Sequence, residues 1–158
     1  MLVDPTSPSI IRQSQQDSFN NKEHSDVIFI VENKPLYANV DVLSQKSDYF
    51  AAMFRSNMRE SIERVVNVPH CSKAAFLLVL KYLCLDDFTV SSIDDVVEVW
   101  ALADMYQLEG LKYSYMGALE RGLLSKENVS EILQEAEYLV CPCDGLKRMC
   151  NEFSKRHN

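Results

Sequence analysis

The sequence predicts an α+β fold in which a few short strands come first and helices follow. A β-branched and aromatic run from Val27 to Val31 is followed at once by a second short apolar segment, as in a hairpin. Beyond residue 70, apolar residues recur at helical spacing through most of the chain. Because strands and helices are segregated along the chain, a doubly wound parallel sheet is not expected. The 158 residues are enough for one independently folding unit with a real core.

Three segments have the composition of strands. The unbroken apolar run Val27 to Val31 predicts a strand buried on both faces. Glu32 to Lys34 forms the predicted turn, because asparagine tolerates positive φ, and Pro35 to Ala38 completes the hairpin. Arg64 to Val68 predicts a third strand, ended by Pro69, which has no N–H to donate. The expected sheet is therefore small and three-stranded.

The remaining periodicity is helical. After Asp41 the pattern predicts two short helices with a break between them, and Ser47 stands where the second needs its N-cap. Gly110 and Gly122 stand where a C′ glycine would end a helix. The later predicted helices are Ser72 to Leu85, Asp94 to Leu108, Leu111 to Leu119, a helix opened by Ser125 to Asn128 that runs to Leu139, and a final helix from Asp144.

Composition and charge exclude several classes of function. The formal charge of -7, with Lys and Arg scattered among acids, argues against a nucleic-acid surface. The longest apolar runs, such as Ala74 to Leu80, are far shorter than the roughly 20 residues that span a bilayer. The N-terminus lacks the basic and apolar segments of a secretory signal, so we expect a cytoplasmic or nuclear protein with no membrane partner. The five cysteines are then expected to be free thiols.

No catalytic or metal-binding constellation is visible. The three histidines are His24, His70 and His157, which are far apart in sequence, and the four glycines are isolated, so no phosphate loop is present. Zinc sites favour ligand pairs separated by two to four residues, and neither His70-Cys71 nor Cys141-Pro142-Cys143 with Cys150 has that spacing. We therefore predict a protein that is not an enzyme and needs no metal or cofactor.

The order of several motifs resembles a BTB/POZ domain. Ser25-Asp26-Val27 opens a strand, Ser47-Asp48-Tyr49-Phe50 begins a helix, and Met58-Arg59-Glu60-Ser61 and Ala101 to Leu111 follow in the family's order. The tail from Leu124 to Phe153 is similar to the helical pair that follows this domain in cullin-3 adaptors, called the 3-box or the start of a BACK domain. The resemblance implies a leader at 1–24, a BTB/POZ domain at 25–122 and a helical extension at 123–158.

The resemblance also implies a function. BTB domains homodimerise, and many recruit cullin-3 as substrate adaptors of a ubiquitin ligase, in which partners perform the ubiquitin transfer and another domain brings the substrate. Met58 would place an apolar side chain in a groove on the cullin, with Glu60 supporting the loop or pairing with a cation. The implied cullin-binding residues are Phe54, Met58, Arg59, Glu60, Tyr82 and Cys84. The expected dimer interface, which includes a short leader helix, comprises Ile10, Ile11, Phe19, Val42, Leu43 and Tyr49.

Departures from the family pattern leave alternatives open. The family's frequent Tyr-x-Tyr-Thr-Gly segment is here Tyr82 to Asp86, so Cys84 replaces an aromatic residue that often touches the cullin. An oligomerisation scaffold without cullin binding therefore remains the alternative. Tyr37 to Val40 lacks the histidines and the base of repressor-type BTB domains, so a co-repressor groove is not expected. For Met58 to Glu60, the alternative is a solvated loop.

Overall fold

A computed structural model describes residues 19–85, 88–90, 92–139 and 143–157. The chain divides into two compact units, Met1–Phe88 and Thr89–Asn158, which are described separately. The predicted leader helix, with Ile10 and Ile11, lies outside the described residues.

The first unit contains a three-stranded sheet. Its strands are β1 (Val27–Val31), β2 (Lys34–Ala38) and β3 (Val65–Val68). Within the described residues the order is β2-β1-β3, with β1 antiparallel to β2 and parallel to β3. The three predicted strands are confirmed.

Burial along β1 alternates more than its sequence predicts. Val27, Phe29 and Val31 are buried, whereas Ile28 and Ile30 are half-buried. Successive strand side chains point to opposite faces, so one face of β1 meets the core and the other is only partly covered. The expectation of burial on both faces was therefore too strong.

The segment before β1 contacts the outer side of β2. Asn20 accepts a hydrogen bond on Oδ1 from the Tyr37 N–H at 2.9 Å, and the Asn39 side chain donates to the His24 carbonyl at 2.7 Å. A 3₁₀ turn, Lys22–His24, lies between these contacts. The Asn20 side chain thus satisfies a backbone donor that the edge strand β2 would otherwise leave open.

Four helices complete the described part of the first unit: α1 (Val40–Lys46), α2 (Asp48–Arg55), α3 (Arg59–Glu63) and α4 (Lys73–Cys84). Asp26 accepts the Val40 N–H at 2.8 Å, so a carboxylate lies at the positive end of α1. Ser47 ends α1 and begins α2, where its Oγ accepts the Phe50 N–H at 3.2 Å. The predicted break at Ser47 is confirmed.

Aromatic rings form the centre of the first unit. Phe29 on β1 is fully buried, with its ring centroid 5.8 Å from Phe50 on α2 and 5.0 Å from Phe76 on α4. The ring planes of Phe29 and Phe50 are close to perpendicular, an arrangement that aromatic pairs prefer. One strand residue therefore joins the sheet to two helices.

The described part of the second unit is helical. It contains α5 (Val96–Met105), α6 (Glu109–Ala118), a π-helical turn (Leu119–Leu123), α7 (Val129–Tyr138) and α8 (Asp144–His157). Gly122 adopts φ +122°, a conformation that side-chain-bearing residues rarely take, so its predicted role in ending a helix is confirmed. The predicted start of α8 at Asp144 is also confirmed.

Gly110 does not end α5, contrary to the sequence prediction. The helix stops at Met105, and Gln107 takes the left-handed conformation with φ 60°. The Leu108 N–H then bonds to the Ala103 carbonyl at 2.8 Å, which closes a Schellman motif with a buried Leu108. Gly110 lies instead in the first turn of α6. Burial of Leu108 compensates for a non-glycine residue at positive φ.

The start of α7 also differs from the prediction. Ser125 to Asn128 form a turn instead of the first turn of the helix, which begins at Val129. The Asn128 side chain closes this turn: its Oδ1 accepts the Ser125 N–H at 2.8 Å and its Nδ2 donates to the Leu123 carbonyl at 2.9 Å. Asparagine often competes with helix formation through such local bonds.

We expect Ser47→Ala to destabilise the fold by about 1 kcal/mol, because the alanine removes the N-cap of α2 at a buried position. Urea unfolding followed by circular dichroism measures the change. Ser130→Ala, at an exposed position of α7, is the control and is expected to stay within about 0.5 kcal/mol of the parent. Equal midpoints for the parent and Ser47→Ala would contradict the capping role.

Candidate functional site

The short helix α3 carries two exposed apolar side chains. Met58, at the N-cap position, is 64% exposed, and Ile62, one helical turn later, is 72% exposed. The Ile62 N–H donates to the Met58 carbonyl at 3.3 Å, so the two residues have the i,i+4 spacing that places side chains on one helix face. We call Met58 and Ile62 the apolar pair. Large aliphatic side chains in water are typical of contact surfaces when they cluster.

A hydrogen bond attaches α3 to the end of α2. The Ser61 hydroxyl donates to the Phe54 carbonyl at 2.9 Å, while the Ser56 hydroxyl caps the end of α2 by donating to the Met53 carbonyl at 2.7 Å. The Arg64 N–H closes α3 by donating to the Glu60 carbonyl at 3.0 Å. A helix of five residues is too short to be stable in isolation, so these contacts hold it in place.

Arg64 ends α3 and contacts the core beneath it. It adopts the left-handed conformation, with φ 58°, and its guanidinium lies 5.5 Å from the centroid of the Phe54 ring. Its Nη1 is buried and has no hydrogen-bond partner within the described residues. The ring face is then the favourable contact of this cation. Arg64 thus links the backbone turn after α3 to the aromatic cluster.

An ion pair and the carboxylate of Glu60 lie next to the apolar pair. Arg59 donates from Nε to Glu63 at 2.9 Å, and both side chains are largely exposed. The hydrogen bond and charge of Glu63 raise the pKa of Arg59 above its ordinary value. Glu60 is half-buried on the same helix. The apolar pair therefore has next to it an ion pair without net charge.

The other residues predicted to touch a cullin lie in different settings. Phe54 is 7% exposed and supports α3 from below. Tyr82 and Cys84 are half-buried on α4, a helix that packs against α1 and β2. The Tyr82 ring meets Phe88 edge-on at 5.9 Å. The structure thus brings Phe54, Met58, Arg59 and Glu60 together and places Tyr82 and Cys84 on a separate helix.

The residues expected at a dimer interface differ in exposure. Val42 on α1, Tyr49 on α2 and Phe19 before the 3₁₀ turn are each half-buried. Leu43 is fully buried within the chain, so it has no surface to offer a partner and acts by positioning α1. Ile10 and Ile11 lie outside the described residues. Sequence periodicity alone did not separate Leu43 from its neighbour Val42.

Among the described residues, no group of three or more His, Cys, Asp or Glu side chains is arranged to hold a metal ion. In the same ranges, no helix has both the length and the apolar character needed to cross a membrane. A groove of about 640 Å³ in the second unit is lined partly by Leu119, Met149, Phe153 and Arg156.

Burial keeps two thiols protonated at neutral pH. It raises the pKa of Cys84 to about 11 and that of Cys150 to about 11. Cys84 therefore presents a neutral thiol, which behaves as a small apolar group with a weak donor. Any partner of this face of α4 meets neither an aromatic ring nor a thiolate at this position.

We expect Cys84 and Cys150 to react slowly with a maleimide in the folded chain. The thiolate is the nucleophile, and a pKa near 11 leaves about one thiol in a thousand ionised at about pH 8. The reactive fraction rises with pH and also on unfolding, when the pKa returns to about 8.5. Pulse labelling with mass spectrometry, with and without urea, measures both rates. Equal labelling rates of Cys84 and Cys150 in the folded and the unfolded chain would contradict this prediction.

Comparison with known proteins identifies similar chains. A family model described as "BTB/POZ domain" matches residues 15–121. BTB/POZ domain-containing protein 6-A of Danio rerio is 32% identical over 136 residues, which cover 84% of this chain and 25% of that protein. BTB/POZ domain-containing protein 9 of Drosophila melanogaster is 27% identical over 139 residues, covering 87% of this chain and 19% of that protein.

A solved structure has the same fold. The BTB domain of zebrafish PATZ1 aligns with a TM-score of 0.57 and 17% identity, over 77% of this chain and 98% of that one. At this identity the likeness concerns the fold alone. The chain spans about a quarter or less of the length of the two curated relatives above.

Proposed function

Since the chain belongs to the BTB/POZ domain family, we propose that it forms a homodimer and recruits cullin-3 as the adaptor part of a ubiquitin ligase. BTB domains are protein–protein interaction modules that typically dimerise, and proteins of this family are typically adaptors or scaffolds. Ubiquitin transfer would be performed by partners, and a further domain would bring the substrate. Protein–protein interaction and dimerisation are supported by family membership. The choice of cullin-3 as the partner is supported by the exposed Met58 at the start of α3.

The observation that carries the proposal is the exposure of Met58. The side chain is apolar, 64% exposed and located at the first residue of a Met58-Arg59-Glu60 segment on an ordered helix. Transfer of a methionine from water into an apolar pocket is worth roughly 1.5–3 kcal/mol. A contribution of that size is typical of an interface hot spot. The Met58 side chain makes no capping hydrogen bond to α3 that docking would break.

The residues around Met58 fit supporting roles. Phe54 and Arg64 hold the helix from below, so α3 is ordered before a partner arrives and little entropy is lost on binding. Glu60 and Arg59 lie next to Met58 and would contact the rim of the cullin groove. Tyr82 and Cys84 on α4 would add a second contact region, smaller than in relatives with an aromatic residue at position 84.

We place the dimer interface on Val42, Tyr49 and Phe19, together with Ile10 and Ile11, while Leu43 supports α1 from the core. The proposed organisation is a leader at 1–24, the BTB/POZ domain at 25–122 and a 3-box-type extension at 123–158. A stable dimer of this kind typically buries more than about 2,000 Å² in total. Light scattering that finds a stable monomer at dilute concentration would contradict the dimer.

Calorimetric titration of the chain with the N-terminal region of cullin-3 tests the proposal. Submicromolar binding that depends on Met58 would support it. Glu60→Arg is a second test of the same surface, because it reverses a charge next to Met58 without entering the core. If either Met58→Asp or Glu60→Arg binds as well as the parent, the docking assignment is wrong.

The alternative is an oligomerisation scaffold that does not bind a cullin. One observation favours it: Cys84 provides a neutral thiol where an aromatic contact residue is frequent in cullin-binding relatives. The same titration decides between the two, since a folded dimer that releases no heat and forms no complex with cullin-3 would leave the scaffold as the function.

A further inference from the structure

Ile62 has no role in the segment Met58-Arg59-Glu60, yet it is more exposed than Met58. Its side chain is 72% accessible, and it lies one helical turn after Met58 on a helix of five residues. Its N–H donates a hydrogen bond to the Met58 carbonyl, so the backbone of Ile62 is fixed relative to Met58. Exposure of most of an isoleucine side chain to water is unfavourable, and folding of the chain leaves Ile62 exposed.

We infer that Ile62 is a second apolar anchor for the partner that docks on Met58, and that it contributes to the choice of that partner. The inference rests on the proposed cullin-3 docking. The two residues lie one helical turn apart, joined by the hydrogen bond from the Ile62 N–H to the Met58 carbonyl, so a partner that covers both needs a continuous apolar groove of about that length. A pocket that fits a single methionine would leave Ile62 in water.

The Arg59–Glu63 ion pair favours an uncharged partner surface opposite Ile62. Arg59 and Glu63, which have the same i,i+4 spacing, bond to each other at 2.9 Å. Because this ion pair satisfies itself, the partner gains little from placing a charge opposite either residue. Discrimination then depends on apolar shape, and Ile62 adds a branched side chain that a narrow groove rejects.

The surface is also held in one arrangement before binding. Ser61, adjacent to Ile62, donates to the Phe54 carbonyl at 2.9 Å, and Arg64 closes the helix two residues later over the Phe54 ring. Ile62 is β-branched and has few rotamers to lose. An anchor that is ordered in the free protein costs less entropy on docking than a flexible one.

Titration of three variants with the N-terminal region of cullin-3 tests the inference: Ile62→Gln, Ile62→Leu and Met58→Asp. We expect Ile62→Gln to bind about tenfold more weakly than the parent and Ile62→Leu to bind within about threefold of it. Because position 62 is exposed, thermal unfolding and dimer mass are expected to be unchanged in both Ile62 variants.

The possible outcomes are distinct. If Met58→Asp loses binding while Ile62→Gln binds like the parent, Ile62 is not an anchor and the docking on Met58 stands. If the parent itself does not bind cullin-3, both the proposed function and this inference are wrong. If Ile62→Gln turns the dimer into a monomer without weakening cullin binding, the surface belongs to a second copy of the chain and the inference is also wrong.

Discussion

We expect Met58→Asp to weaken binding of the cullin-3 N-terminal region by at least about 100-fold. The variant loses the burial of a methionine, worth roughly 1.5–3 kcal/mol, and it must also desolvate a carboxylate in an apolar groove. Together these exceed the roughly 2.7 kcal/mol that corresponds to 100-fold. Calorimetry on parent and variant measures the difference.

The same substitution is not expected to damage the fold. Met58 occupies the N-cap position of α3 and makes no side-chain capping bond, and aspartate is among the preferred N-cap residues. The negative charge also lies at the favourable end of the helix. Thermal unfolding of Met58→Asp should therefore occur at or slightly above the parent temperature.

Met105→Asp is the matched control for charge and exposure. Met105 is 53% exposed at the end of α5 in the second unit, and its substitution changes the net charge by the same amount as Met58→Asp. We expect cullin binding within about twofold of the parent, because Met105 is not among the residues of the proposed docking surface and the effect of a single exposed charge is largely screened by salt. Equal losses in both variants would indicate a general charge effect instead of a docking point.

Phe29→Ala is expected to have the largest effect on stability, a loss of about 3–5 kcal/mol. The side chain is fully buried, and its ring contacts both Phe50 and Phe76. The substitution removes apolar surface and leaves a cavity among rings that are held by their own helices. A loss of this size is a large part of the roughly 5–15 kcal/mol that stabilises an ordinary domain.

Guanidinium unfolding of Phe29→Ala and Ile30→Ala measures this effect. Ile30 is the next residue on β1, on the partly covered face, so its truncation is expected to cost clearly less. Both substitutions leave the strand and its pairing in place, and they differ in the face of the sheet and in the size of the side chain removed. A smaller loss for Phe29→Ala than for Ile30→Ala would show that the aromatic cluster is not the centre of this core.

Much of the fold follows from local chemistry that is visible in the sequence. Ser47 and Gly122 are found in their predicted roles because an N-cap and a positive φ each demand particular residue types. The prediction for Gly110 was wrong because a buried Leu108 stabilises the Schellman turn at Gln107. Burial of Leu108 in the tertiary structure determines where this helix ends, and the positions of the glycines do not reveal that burial.

The candidate site was only partly visible in the sequence. Met58 and Glu60 are recognised by their order, whereas Ile62 and Arg64 were missed as site residues. The alternative interpretation of Met58 to Glu60 as a loop concealed the i,i+4 relation of Met58 to Ile62, which exists only once Arg59–Glu63 is a helix. Five residues give no clear helical period, and the contacts that stabilise α3 come from α2, outside the segment.

Parallel pairing of β1 with β3 is expected to be a late step in the folding of the first unit. β1 and β2 are joined by a two-residue turn, so their hairpin closes locally and within microseconds. The β1–β3 ladder instead joins Ile28 to Val65, and the intervening chain must first be arranged. Such non-local pairing is slow, because the entropy of closing the loop is lost before the strands make contacts that offset it.

The apolar pair lies directly before β3, and Arg64, which closes α3, also accepts the Ile28 N–H on its carbonyl at 2.9 Å. The docking helix and the first bond of the parallel ladder therefore meet at one residue. We therefore expect the C-terminal end of α3 to take its final position relative to the sheet only when β1 and β3 have paired, which is a late step in the folding of the first unit.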